Sequence, residues 1–342
     1  MSQLALIYES DPKQQTVQSH PIPEPMEGFV QVRVEAAAFN PLDYKIYDRG
    51  TFVQKYPTIL GVDAAGEVTK IGPGVTKFKV GDRVTCLCTP NFPQGAGIGE
   101  RGAFQQYTLA DVRITAKIPE NADYEPAASF PVAGNTAAGA LYGQLKFKDP
   151  WLGGEGAYRG EKNRHFGGSS SVGAYTIQLA LLSGLQVITT ASAAHFDYLK
   201  SLGVATVIDR SAPDVPAQIL AAAGGPVKYV VDCISLQQTQ LLAVEILQPE
   251  GKLVLVLSPN PSAQSAAEAK NITLLGTNGP ANFYFSEPFW DAVGGYMERG
   301  TIKFNRPMVL SGGLRSWVEA FDLHRQGKVS GIKIVMRPQE TK

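Results

Sequence analysis

One short turn constrains the fold more than any other segment: Gly167-Gly168-Ser169-Ser170-Ser171-Val172-Gly173. From Gly168 to Gly173 it reads G-x-S-x-x-G, a dinucleotide-binding fingerprint with Ser170 in place of the middle glycine. The first glycine lets a strand turn sharply into a helix. The middle position lets backbone approach a pyrophosphate, and the last lets helix and strand pack closely. A helix starting near Val172 would aim the N–H groups and partial positive charge of its N-terminus at phosphates. Gly/Ser turns are common, so the motif gains its weight from the segments on its C-terminal side. Residues 172–182 read as a helix and 185–190 as a strand. The pairs 195–202 and 205–209, 215–223 and 227–232, 237–247 and 251–257 repeat that alternation. Strand–helix repetition at this pitch predicts an α/β, doubly wound parallel sheet with helices on both faces.

The first ~125 residues have a different character. Phe29-Val-Gln-Val-Arg-Val alternates with period two, and 62–68, 82–88 and 103–108 are further strand-like runs separated by turns such as Gly72-Pro73-Gly74. A small β barrel or sandwich is expected there. A chain of 342 residues, 44% hydrophobic and 18% charged, has the material for two such cores. A helix over 288–299 and a closing strand over 332–336 complete the reading. Thirty-one basic residues balance thirty-one acidic ones, which argues against a strongly basic nucleic-acid-binding domain. No apolar run reaches membrane-spanning length, and the N-terminus has no signal-peptide pattern. Three cysteines, Cys86, Cys88 and Cys233, make a poor disulfide framework, so the expected location is cytoplasmic.

The second strand of a dinucleotide fold commonly ends in an acidic residue that binds the adenosine ribose. Here that stretch is Thr189-Thr190-Ala191-Ser192-Ala193-Ala194-His195, with no carboxylate. Ser192 and His195 can instead donate hydrogen bonds to a 2′-phosphate, so the expected cofactor is NADP(H). One segment conflicts with the fold. The strand feeding the glycine turn should be apolar on both faces, yet it reads Glu161-Lys162-Asn163-Arg164-His165-Phe166. Either it is short and irregular, or its side chains find partners, or the domain is destabilised.

In order along the chain stand Ala38-Phe-Asn-Pro-Leu-Asp-Tyr-Lys, Pro57-Thr-Ile-Leu-Gly-Val-Asp-Ala-Ala-Gly-Glu-Val, Val75-Thr-Lys-Phe-Lys-Val-Gly-Asp-Arg-Val, Gly102-Ala-Phe-Gln-Gln-Tyr, Asn135-Thr-Ala-Ala-Gly-Ala-Leu and the glycine turn. This ordered set resembles the medium-chain dehydrogenase/reductase superfamily over nearly the whole chain. The resemblance implies a GroES-like catalytic domain from 1–125 and 290–342, and a Rossmann NADP-binding domain from 126–289. Zinc-dependent members carry a Cys in the first motif and Gly-His-Glu in the second. Here stand Asn40 and Gly61-Val62-Asp63, and neither Asn nor Val is a useful zinc ligand. The four-cysteine zinc lobe is also missing, and Cys86-x-Cys88 is expected to pack in a strand. The chain therefore resembles the zinc-free, quinone-oxidoreductase-like branch, including the fungal trans-acting enoyl reductases that serve polyketide synthases.

That resemblance implies a site. Leu42, Asp43, Tyr44 and Lys45 would lie beside the nicotinamide and Thr136 near its carboxamide. Gly168, Ser169, Ser170, Ser171, Val172 and Gly173 would meet the pyrophosphate, and Ser192, His195 and Arg210 the 2′-phosphate. Leu257, Ser258, Ser330 and Gly331 match further cofactor contacts. Without zinc to ionise an alcohol, the expected substrate is already electron-poor: an enone, an enoyl thioester or a quinone, free or carried on a carrier protein. Lys45, Tyr44 and Tyr47 are the candidate donors to a developing enolate. The alternatives are a zinc-independent carbonyl reductase or alcohol dehydrogenase, and a non-catalytic NADPH-binding protein. The protein is expected to be a monomer or a homodimer, without nucleic-acid or membrane partners. The loops at 92–98 and 276–285, rich in Gly and aromatics, suggest a partly apolar ligand.

Overall fold

The computed structural model describes residues 1–9, 15–90, 99–159, 162–277 and 283–342, with the backbone path alone at 162–166 and 283–286. The loop at 92–98 and residues 278–282 of the loop at 276–285 lie outside the described residues. The chain divides into two compact units: 1–132 with 290–299 and 304–342, and 133–289 with 300–303. It combines a GroES-like domain with a Rossmann-type domain.

The first unit holds β1 (Ser2–Tyr8), β2 (Gln15–Pro21), β3 (Phe29–Ala38), β4 (Thr58–Ile59), β5 (Asp63–Ile71), β6 (Arg83–Leu87), β7 (Tyr107–Asp111) and β8 (Thr115–Lys117). The chain returns to it with β15 (Pro307–Leu310) and β16 (Lys333–Met336). One sheet runs β15-β16-β3-β5-β6-β8 with β7 also on β3, and a smaller one runs β2-β1-β4. Period-two alternation in β3 predicts a half-buried strand, but Gln31 is buried as well as Val30, Val32 and Val34. The Gln31 amide is satisfied by donating to Pro23 O and accepting from Thr69 Oγ1, so it can be covered. The strand expected at 103–108 starts later, at Tyr107. Ala103 and Phe104 donate their N–H groups to Gly61 and Leu60, and the Phe104 ring fills the space where a Gly61 side chain would stand. Helix α1 (Pro41–Arg49) has Pro at its first position and Gly50 in the left-handed conformation behind it. The short α2 (Tyr124–Ala127) and α10 (Trp317–Arg325) also belong here.

In the second unit, β9 (Lys162–Phe166), β10 (Gln186–Ala191), β11 (Thr206–Asp209), β12 (Val227–Asp232), β13 (Leu247–Leu255) and β14 (Thr273–Gly276) form a parallel sheet in the order β11-β10-β9-β12-β13-β14. This is the doubly wound order 3-2-1-4-5-6, with its switch point between β9 and β12. The helices are α3 (Pro131–Ala138, entered from the first unit), α4 (Ser171–Leu182), α5 (Phe196–Ser201), α6 (Val215–Ala223), α7 (Gln237–Ile246) and α8 (Pro261–Ala269). Ala- and Leu-rich α4 is buried almost all round, as an apolar helix without a polar face must be. Polar β9 does form, at the sheet centre, pairing with β10 over its length and with β12 over 164–166; its side chains lie outside the described residues. β13 begins at Leu247 rather than 251, with a register irregularity against β12 near Val227 and Tyr229. Helix α9 (Phe283–Glu298) begins five residues before the expected Pro288, which sits inside it and gives up one bond of the helical ladder.

Candidate functional site

The predicted residues fall into two groups, one in each unit. In the second unit they gather at the carboxyl ends of the parallel strands, where open α/β sheets bind ligands. Gly167 and Gly168 follow β9, Ser192 follows β10, Arg210 follows β11, and Leu257 and Ser258 follow β13. The glycine turn has the dimensions its sequence demands. A Cβ on Gly168 would stand 2.5 Å from Thr189 Oγ1, and one on Gly173 2.1 Å from the Gly167 carbonyl oxygen. Ser170, at the middle-glycine position, is the N-cap of α4, and its Oγ accepts from Gly173 N at 3.0 Å. The hydroxyl is thereby used by the helix. The remaining N–H groups of the first turn lie outside the helical ladder, as a pyrophosphate site needs. These residues fit a dinucleotide.

Arg210 N donates to Ala191 O, which sets the loop after β11 beside Ser192. Ser192 and His195 share a half-buried turn, closed by His195 N donating to Ser192 O. The Arg210 side chain is exposed. Thr136 lies buried on α3, its carbonyl accepting from Thr277 Oγ1 at 3.5 Å.

A polar network at the end of β12 was not foreseen. Asp232 Oδ1 accepts from Ile234 N and Ser235 N, and Oδ2 from Thr239 Oγ1 at 2.6 Å. Ser235 Oγ accepts from Val256 N. The buried Gln240 amide donates to Ser235 O and Ser258 O and accepts from Asn260 N. The loops after β12 and β13 are thus tied together, and Ile234 fills the space beside Gly167. Burial pushes the Asp232 carboxyl up, and its three donors oppose that.

In the first unit, α1 carries Leu42, Asp43, Tyr44, Lys45 and Tyr47. They do not share one environment. Leu42 packs against the core. Tyr47 packs among Tyr8, Trp317 and Phe321. Tyr44 stacks on His324 at 6.2 Å between centroids. Lys45 is half-buried; burial, then Arg49, lowers its pKa, which makes its ammonium a readier proton donor. Asp43 turns inward, where its Oδ2 accepts from Asn40 N at 2.7 Å and its Oδ1 has no partner. Burial first, and the nearby Asp63, raise its pKa to about 7, against opposing contributions from Asn40 N and Lys333. Ser330 is exposed, and Gly331, at φ 65°, gives its carbonyl to the Arg306 guanidinium.

Beneath α1 lies a second unforeseen network. Lys333 Nζ contacts Asp63 Oδ2 at 2.9 Å and Asn40 Oδ1 at 2.5 Å. Asn40 Nδ2 donates to Asp63 Oδ2, and Val132 N to Asp63 Oδ1. The available signal was a lysine inside the apolar run Ile332-Lys-Ile-Val-Met. His324, on α10, has a pKa lowered to about 4 by burial and then by Lys333, with a backbone bond to Phe39 opposing. These residues do not fit a zinc ion. Val62 is apolar and buried, and the polar atoms of Asn40 and Asp63 already hold an ammonium group. Among the described residues, no group of three or more His, Cys, Asp or Glu could hold a metal. Cys86 and Cys88 are buried free thiols, Cys86 within β6.

Residues 26–120 match the alcohol dehydrogenase GroES-like domain, and 171–291 match the domain described as zinc-binding dehydrogenase. The chain belongs to the medium-chain dehydrogenase/reductase superfamily. Within it, the relatives include fungal trans-enoyl reductases, proteins named as zinc-type alcohol dehydrogenases, and a quinone oxidoreductase. Trans-enoyl reductase himH of Aspergillus japonicus is 35% identical over 90% of this chain and 89% of its own. The enoyl reductase component lovC of lovastatin nonaketide synthase, from Aspergillus terreus, is 33% identical over 90% and 88%. The quinone oxidoreductase of Coxiella burnetii superimposes with a TM-score of 0.76 at 26% identity, covering 98% and 99%. This makes the protein an oxidoreductase of that superfamily. No helix among the described residues is long and apolar enough to cross a membrane.

Proposed function

We propose that the protein is an NADPH-dependent, zinc-independent cytoplasmic reductase that delivers hydride to an activated C=C bond, in an enone or an enoyl thioester, or to a quinone. The observation that carries this reading is the donor set at the first and second motifs: two positions that would ligate zinc are an amide engaged with Lys333 and a buried valine. With no ion to polarise an alcohol, the substrate must itself be electron-poor. The enoyl-reductase names of the relatives support the same class. Bound NADPH supplies the hydride. The rest is work for this chain's own side chains. Half-buried Lys45, with its lowered pKa, is suited to meet the negative charge developing on the acceptor oxygen and to pass it a proton. Tyr44 stands beside it. The carbonyl-reductase alternative needs no different donor, so substrate assays separate the two.

The 2′-phosphate assignment rests on the absence of a carboxylate after β10 and on the exposed Arg210 beside Ser192. The test is turnover with NADPH or NADH against a panel of enoyl thioesters, enones, quinones and aldehydes. Enoyl thioesters or enones should be reduced with NADPH, and Arg210→Ala should weaken NADPH roughly tenfold with little change for NADH. Aldehyde reduction alone would favour the carbonyl reductase, and equal affinity for both cofactors would remove the NADPH assignment.

A further inference from the structure

Lys333 is among the most deeply buried charged groups of the first unit, at 2% exposed. It stands on β16, and its partners come from distant segments: Asp63 opens β5, and Asn40 caps α1. Buried ion pairs seldom add net stability over apolar residues of the same volume, but their hydrogen bonds accept only one geometry. Here that geometry ends on a helix. The Asn40 side chain is held at both ends, by Lys333 on its oxygen and by Asp63 on its nitrogen, and its backbone N–H is held by Asp43. The first turn of α1 therefore has little freedom to slide or rotate. Tyr44 and Lys45 lie within that turn and the next.

We propose that Lys333, Asp63 and Asn40 form a positioning clamp for α1, so that Lys333 sets the reaction rate by holding Tyr44 and Lys45 and without touching substrate or cofactor. The inference rests on the enoyl-reductase reading of the site. Displacements of about 1 Å at a reacting group reduce rates by roughly a hundredfold, which is the size of effect such a clamp can control.

The test compares wild type, Lys333→Met and the charge-neutral pair Lys333→Met with Asp63→Asn. The single variant leaves the buried Asp63 carboxylate without its cation and can fail to fold; the double variant removes both charges and keeps an acceptor for Val132 N. The double variant should melt near wild type, bind NADPH within about threefold of wild type, and lose kcat roughly 10- to 100-fold. Hydrogen exchange of the amides at 45–50 should become about tenfold faster while β3 stays protected. Unchanged kcat, or slower turnover without faster exchange in α1, would overturn the clamp. If the wild type reduces no member of the panel, the enoyl-reductase reading fails, and exchange in α1 alone decides the clamp.

Discussion

A fully buried carboxylate in each unit, Asp63 in the first and Asp232 in the second, is stabilised in a different way. Asp63 and Asp232 are both 0% exposed. Asp63 faces a full positive charge, Lys333, with an amide and one backbone N–H beside it. Asp232 has no cation among the partners described; two backbone N–H groups of the loop that follows and the Thr239 hydroxyl in the first turn of α7 satisfy it. The first arrangement joins segments far apart in the chain. The second folds a local loop back on the strand that precedes it. A charge held by charge specifies long-range geometry, whereas a charge held by nearby donors specifies a turn.

The sharpest way to break this comparison is Asp63→Ala. It leaves the Lys333 ammonium buried without its counter-charge, with only the Asn40 amide oxygen as partner, and should cost about 3–5 kcal/mol in urea unfolding at pH 7. A loss below about 1 kcal/mol would show that the Asn40 oxygen by itself satisfies Lys333.

Asp43 gives the next largest effect. Its folded pKa, about 7, lies above the ordinary 3.8. Between roughly pH 4 and pH 7 the folded protein keeps a proton that the unfolded chain has lost. This contribution is complete below about pH 4 and disappears as pH rises through 7. Asp43→Asn keeps an acceptor for Asn40 N and removes the titration. Its stability relative to wild type should climb by about 2–4 kcal/mol between pH 4 and pH 8. Parallel stability curves for the two proteins would show that Asp43 ionises freely in the fold.

The smallest effect belongs to the loop-held carboxylate. Asp232→Asn keeps one acceptor for Ile234 and Ser235 and should cost only about 1–2 kcal/mol. A loss as large as that of Asp63→Ala would erase the distinction between the two sites.

The glycine turn, the strand–helix alternation behind it and the β character of the first unit were legible because each depends on residues close in sequence. Ser170 shows the limit of that reading. The motif marks it as the middle position of a phosphate loop, but its role as N-cap of α4 emerges only from the hydrogen bond to Gly173. Helix α1 carried its own signals, Asn40-Pro41 before it and Gly50 behind it, yet its nine residues have no strong apolar stripe, and period-based reading passes over it. Polar β9 is the converse case: its sequence argues against a central strand, and ladders on both sides place it there. Propensity and pattern are weak beside one complete ladder to β10 and a three-residue ladder to β12.

By itself the sequence determined the two kinds of domain, the superfamily, the glycine turn and the residue types at Asn40 and Val62. All of these are local patterns of residue type and spacing. The tertiary structure alone decided which charges meet. Asn40 and Lys333 stand 293 residues apart, and no period or motif links them. Their contact exists because β16 returns to pair with β3, whose end leads into the α1 cap. Asp43, Tyr44, Lys45 and Tyr47 are close neighbours on one helix, but they enter a buried polar network, a histidine stack, a half-exposed flank and an aromatic core. A helix turns about 100° per residue, so what each side chain meets depends on the elements packed around it.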